Sequence, residues 1–172
     1  APMGVGPPGR DGRDQIATVR EFVAAPARRA GEVIVISCDH GAGAFAADVS
    51  AAGGVPYPID CAGNLHTSVI ELLLRGGAGG VLILACPERD CWNREGPRWL
   101  GARVHGRREA ELQPRVERAR VRIAHVGARE RGRGIDAVRA FATEVATLGP
   151  PAAADAADAE VQCEPALVAR DT

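Results

Sequence analysis

The 172-residue chain contains no lysine; all 21 of its basic positions are arginine. With the abundant alanine, glycine and proline, this reads as the codon bias of a GC-rich genome rather than as a binding surface. Aromatic side chains make up only 3% of the residues, so any core must be built from valine, leucine, isoleucine and alanine. The formal net charge of −1 gives no electrostatic reason to expect nucleic acid as a partner. No apolar run reaches the length of a transmembrane helix, so membrane insertion is not expected. The opening stretch APMGVGPPGRDGRD has no apolar signal core, and the expected location is cytoplasmic. Four chemical signatures are missing as well. There is no G-x-G-x-x-G after the first strand and no P-loop. Neither C-x-x-C nor the C-x5-R of a cysteine phosphatase is present, since the sixth residues past Cys86 and Cys91 are Trp92 and Pro97.

What is present is a globular composition and an alternation of strand-like and helix-like runs. Residues 1–30 form an N-terminal extension: a Gly/Pro/Arg-rich start, read as disordered or as a docking arm, then a short helix within DQIATVREFVAAPARRA that Pro26 ends. GEVIVIS is a continuous apolar run, which favours a strand covered on both faces. AGAFAADVSAAGG is a small-residue helix stopped by Gly53 and Gly54. VPYPID is a short strand whose prolines place it near an edge. Asn64 is the expected N-cap of a helix with Leu65, Val69, Leu72 and Leu73 on one stripe, closed by Gly76 and Gly77. GVLILA is the most hydrophobic strand. An interrupted helix (96–112), an alternating strand RVRIAHVGA and a final amphipathic helix GIDAVRAFATEVATLG follow. The order β-α-β-α-β-α-β-α predicts an α/β fold: a three-layer, Rossmann- or flavodoxin-like domain over residues 31–149 with a mostly parallel four-stranded sheet. Residues 150–172 form an Ala/Asp-rich C-terminal tail.

The five cysteines are too few for a disulfide scaffold. Cys38, Cys61 and Cys86 each directly follow a strand, and Cys91 is returned by a loop of four residues. In a parallel sheet those positions share the carboxyl edge, where such folds bind ligands. The spacing C-x22-C-x24-C-x4-C therefore predicts four converging thiols, the ligand set of zinc or of an iron–sulfur cluster. Helices beginning soon after these cysteines, and Gly41, Gly43 and Gly63, would bring backbone N–H groups toward the sulfurs. Other readings are four separate structural cysteines, a Cys86–Cys91 disulfide, or structural zinc without the usual tight knuckles. Cys163, in the tail, is assigned no role. His40 is read as a surface turn residue or a hydrogen-bond donor to the site, and His66, His105 and His125 as ordinary. Trp92 and Trp99 would shield the site, form a docking patch or pack in the core. The arginine-rich stretch 103–122 alternates sign with glutamate and reads as a solvated face.

Three stretches resemble one known family, that of the delta subunit of methyl-viologen-reducing hydrogenase: CDHGAG at 38–43, DCAGN at 60–64 leading to RGGAGGVLILAC, and above all ACPERDCWNREGPRW. The resemblance runs over about residues 31–148, and its most specific part is C-P-x-x-D-C-x-x-x-E-G. It implies a non-catalytic electron-transfer subunit of an oxidoreductase complex, with one [2Fe–2S] cluster on Cys38, Cys61, Cys86 and Cys91. The partners it implies are a heterodisulfide-reductase A-like flavoprotein subunit and other iron–sulfur, hydrogenase or dehydrogenase subunits. Two positions depart from the pattern: Gly41 stands where the family has a cysteine, and Asn64 where it has an arginine. The first keeps a second function in view, a docking subunit of the same kind of complex without a cluster. A small thiol or zinc enzyme is a third, with no nucleophile motif or general base to accompany it.

Overall fold

The structure is a computed structural model and describes residues 8–25, 30–106 and 111–150. Four strands, β1 (Val33–Cys38), β2 (Gly54–Ile59), β3 (Gly80–Ala85) and β4 (Val121–His125), form one sheet in the order β2-β1-β3-β4, and every pairing is parallel. The α/β class and the parallel four-stranded sheet are as the alternation predicts. Among the described residues, five α-helices surround it: α1 (Gly12–Ala24), α2 (Ala46–Ala51), α3 (Thr67–Arg75), α4 (Gly96–Val104) and α5 (Arg131–Thr147).

The continuous apolar runs of β1 and β3 follow from burial on both faces. Ile34, Ile36, Val81 and Ile83 join a core with Val19 of α1, Val69, Ile70 and Leu73 of α3, and Leu100 of α4. The alternate residues Val33, Val35, Leu82 and Leu84 join a second core with Val49 of α2 and Val138, Phe141 and Val145 of α5. Side chains on a strand alternate between faces, so two cores require both residue sets to be apolar. β2 is an edge strand, which is why it tolerates Pro56 and Pro58. Among the described residues, no helix is long and apolar enough to cross a membrane.

Three local expectations are corrected. The N-terminal helix starts two residues earlier than read, because Asp11 caps it: its carboxylate accepts from the N–H groups of Arg13 and Asp14, while Asp14 reaches back to the Asp11 N–H. The cap of α3 is His66, whose Nδ1 accepts from the Ser68 N–H at 3.2 Å; Asn64 instead sits in a 3-10 turn (Ala62–Asn64). The arginine-rich stretch is not simply a solvated face. Arg120 is buried and donates to the carbonyls of Gly79, Leu148, Gly149 and Pro150, and Arg118 donates to those of Val104 and Leu112. A guanidinium has five donors, so one buried arginine can satisfy several carbonyls that no sheet or helix bond reaches. The reading of the tail, Cys163 included, lies outside the described residues.

Ile83 is fully buried in the central strand β3. Ile83→Ala is expected to destabilise the protein by about 2–5 kcal/mol through lost transfer energy and a residual cavity. Urea unfolding followed by circular dichroism measures this.

Candidate metal centre

Cys38 is the last residue of β1 and pairs with Ile59, two residues before Cys61. Cys86 directly follows β3, which pairs with β1 on its other side. Parallel pairing therefore brings three sulfurs to one edge. Cys91 returns to it through a 3-10 turn (Glu88–Asp90). Beyond Cys91 the chain reverses again: the Arg94 N–H donates to the Cys91 carbonyl at 2.9 Å, with Arg94 in the left-handed region at φ 56°. That reversal delivers Gly96, the first residue of α4, beneath the sulfurs.

All four are free thiols. Cys38, Cys61 and Cys86 are buried, and Cys91 is half-buried. Cys86 Sγ lies 3.7 Å from Cys38 Sγ. Cys38 Sγ is also hydrogen-bonded to Cys61, and it lies 3.5 Å from the Asp60 carbonyl oxygen. Cys61 and Cys91 meet over Gly96: a Cβ there would stand 3.4 Å from Cys61 Sγ and 3.2 Å from Cys91 Sγ. A Cβ on Gly41 would stand 2.8 Å from Cys86 Sγ, closer than real contacts allow. A Cβ on Gly63 would lie 2.3 Å from the Gly96 Cα, so two glycine backbones touch where the Cys61 turn meets α4. Arg103 of α4 closes this contact by donating to the Gly63 carbonyl.

The edge favours negative sulfur at Cys61. The Cys61 thiol is held down to about 5, first by the hydrogen bond from Cys38 and then, against burial, by the Asn93 side chain and the N–H groups of Gly63 and Asn64. The same shared proton pushes Cys38 up, burial adds to this, and the N–H groups of Ala62 and His40 oppose it. Burial pushes Cys86 up. Short turns with inward N–H groups, rather than long helices, are what follow Cys38 and Cys61 directly.

The four predicted cysteines are thus brought together. His40 is exposed and stacks on Trp92, with ring centroids 5.6 Å apart and planes 13° apart. Trp92 is 78% exposed, so it belongs to no core. Trp99 also reaches the surface, with the Arg98 guanidinium 5.5 Å from its ring. His125 Nδ1 lies 3.1 Å from the Cys86 carbonyl oxygen. Asn93 and Arg103 escaped the sequence reading, and Gly96 entered it only as the last residue of C-P-x-x-D-C-x-x-x-E-G. Asn93 lies just past Cys91, which is a usable signal, whereas nothing in the sequence singles out Arg103. Among the described residues, no three His, Cys, Asp or Glu side chains group around a single metal position; Cys38 contacts both Cys86 and Cys61, and Cys91 nears Cys61 over Gly96.

A parallel α/β domain with four thiols at its carboxyl edge is the class that fold and site define. The family model for methyl-viologen-reducing hydrogenase, delta subunit, matches residues 33–149, from the first residue of β1 to just past α5, and the chain belongs to that family. It is therefore a delta-subunit-type component of a hydrogenase-class oxidoreductase complex. No curated protein matches the chain.

Removing the donor to Cys61 tests the shared proton. Ultraviolet thiolate absorbance of the metal-free protein is expected to show a titration near pH 5 that Cys38→Ala moves upward toward the ordinary thiol range. An unmoved titration would assign the anion to another sulfur.

Proposed function

We propose that the chain is an electron-transfer subunit that holds one [2Fe–2S] cluster on Cys38, Cys61, Cys86 and Cys91. In this reading it relays electrons between a redox enzyme and a flavin-containing, heterodisulfide-reductase A-like subunit. The observation that carries the reading is the meeting of four free thiols at one sheet edge. Thiolates from all four cysteines are the usual ligand set of such a cluster. Cys38, in contact with both Cys86 and Cys61, and Cys91, which nears Cys61 over Gly96, would hold the cluster, which would supply one-electron chemistry there. The glycines at 41 and 96 leave the sulfurs free of neighbouring side chains.

When bound, such a cluster accepts and gives up single electrons. The chain's own residues govern how easily. N–H groups of Gly63 and Asn64 and the Asn93 side chain hold negative charge on Cys61, while those of Ala62 and His40 oppose the rise at Cys38. Burial of Cys38, Cys61 and Cys86 keeps water away, and Cys91 beside exposed Trp92 leaves one side open to a partner. Free thiols fit a reducing compartment such as the cytoplasm.

A second reading, a docking subunit without a cluster, is favoured by one observation. Gly41 faces the Cys86 sulfur, so the family's cysteine at that position would have contacted the thiol set.

The ligand assignment is tested by electron paramagnetic resonance of the reduced, anaerobically purified protein and its serine variants. Each of Cys38→Ser, Cys61→Ser, Cys86→Ser and Cys91→Ser is expected to abolish the signal or shift its g values, and Cys163→Ser to leave it unchanged. An unaltered spectrum in Cys86→Ser would contradict the assignment.

A further inference from the structure

Helix α1 lies outside the matched region, yet it is tied to the one turn that carries Cys61. Gln15 makes two bonds across it: Oε1 accepts from the His66 N–H at 2.9 Å, and Nε2 donates to the Asn64 carbonyl at 2.9 Å. Asn64 answers, its Nδ2 donating to the Arg10 carbonyl at 3.2 Å. Arg10 forms an ion pair with Asp60, on the other side of Cys61. The segment therefore grips the loop both before and after the cysteine. Its own footing is firm: Val19 is fully buried, and Phe22 packs edge-on against Tyr57 at 4.8 Å. Between this strap and the sheet edge lies a cavity of about 290 Å³ whose lining includes Arg10, Gln15, Tyr57, Asp60 and Cys61. Without the strap, that cavity is open solvent beside the sulfur.

We propose that α1 is a clamp, supplied in cis, that positions and shields Cys61, with Gln15 as its central positioning residue. Two hydrogen bonds from one side chain to the main chain fix where the 62–66 turn sits. That turn supplies the N–H groups of Gly63 and Asn64 that face the sulfur. Loosening it would raise the exposure of Cys61 and weaken those donors while leaving Cys38 and Cys86 on their strands. The consequence for a bound cluster rests on the function proposed above, whereas the consequence for the thiol does not.

The test compares wild type, Gln15→Ala, Gln15→Glu and Arg20→Ala as full-length, metal-free, reduced proteins. Each is treated briefly with iodoacetamide, and alkylation is read cysteine by cysteine by mass spectrometry. Cys61 is reached by local opening, so its rate reports the clamp. Gln15→Ala is expected to speed Cys61 about tenfold, with Cys86 unchanged. Gln15→Glu keeps the acceptor for His66 and loses the donor to Asn64, so its increase is expected to be smaller; it also serves if the alanine variant fails to fold. Arg20, exposed on the same helix, is expected to change nothing. Unchanged Cys61 rates in the Gln15 variants, or equal rises at all four cysteines, would overturn the proposal. With iron-loaded protein the same variants are expected to release iron to a chelator faster. A wild type that takes up no iron would refute the cluster, and the alkylation rates would still decide the clamp.

Discussion

Parallel pairing of β1 with β2 on one side and β3 on the other is the constraint from which the site follows. The register sets Cys38 beside Ile59 and ends β3 just before Cys86. No local sequence signal could bring cysteines with 22 and 24 residues between them to one spot; main-chain hydrogen bonding between parallel strands does so without any help from the thiols. The two apolar cores that clamp the sheet from both faces make that register rigid. A one-residue slip in β1 would send Ile34, Ile36 and Cys38 to the other core and dissolve the cluster of sulfurs.

On this frame, close approach is achieved by leaving side chains out. Gly63 lies against Gly96, and Gly41 lies against the Cys86 sulfur. Any side chain at these points would push a turn away from the edge. The space so gained is lined by donors: main-chain N–H groups, the Asn93 amide and the Cys38 thiol all face sulfur. An environment that makes a metal-free thiol share its proton and holds Cys61 as a thiolate is one that also suits an anionic iron–sulfur centre.

Much of this was legible in the sequence because it rests on period and position. Continuous apolar runs marked β1 and β3 as doubly covered, prolines marked β2 as an edge, and cysteines just past strands marked the carboxyl edge. What escaped depends on contacts between distant segments. Asn64 looks like a cap, and only the packing of α1 shows that it bonds Arg10 instead. Arg120 looks solvated, and only the end of α5 shows the carbonyls it serves. Trp92 reads equally as a shield, a docking patch or a core residue, and only the structure shows it standing in solvent against His40.

The central claim is that four thiols from three strand ends and one returning loop hold a single cluster. Iron and acid-labile sulfide analysis of the anaerobically purified wild-type chain, before and after reconstitution, tests it most directly. About two irons and about two sulfides per chain are expected, as the cluster type requires. A colourless, iron-free protein that remains so after reconstitution would contradict it and leave the chain as a docking subunit whose thiols meet without a metal.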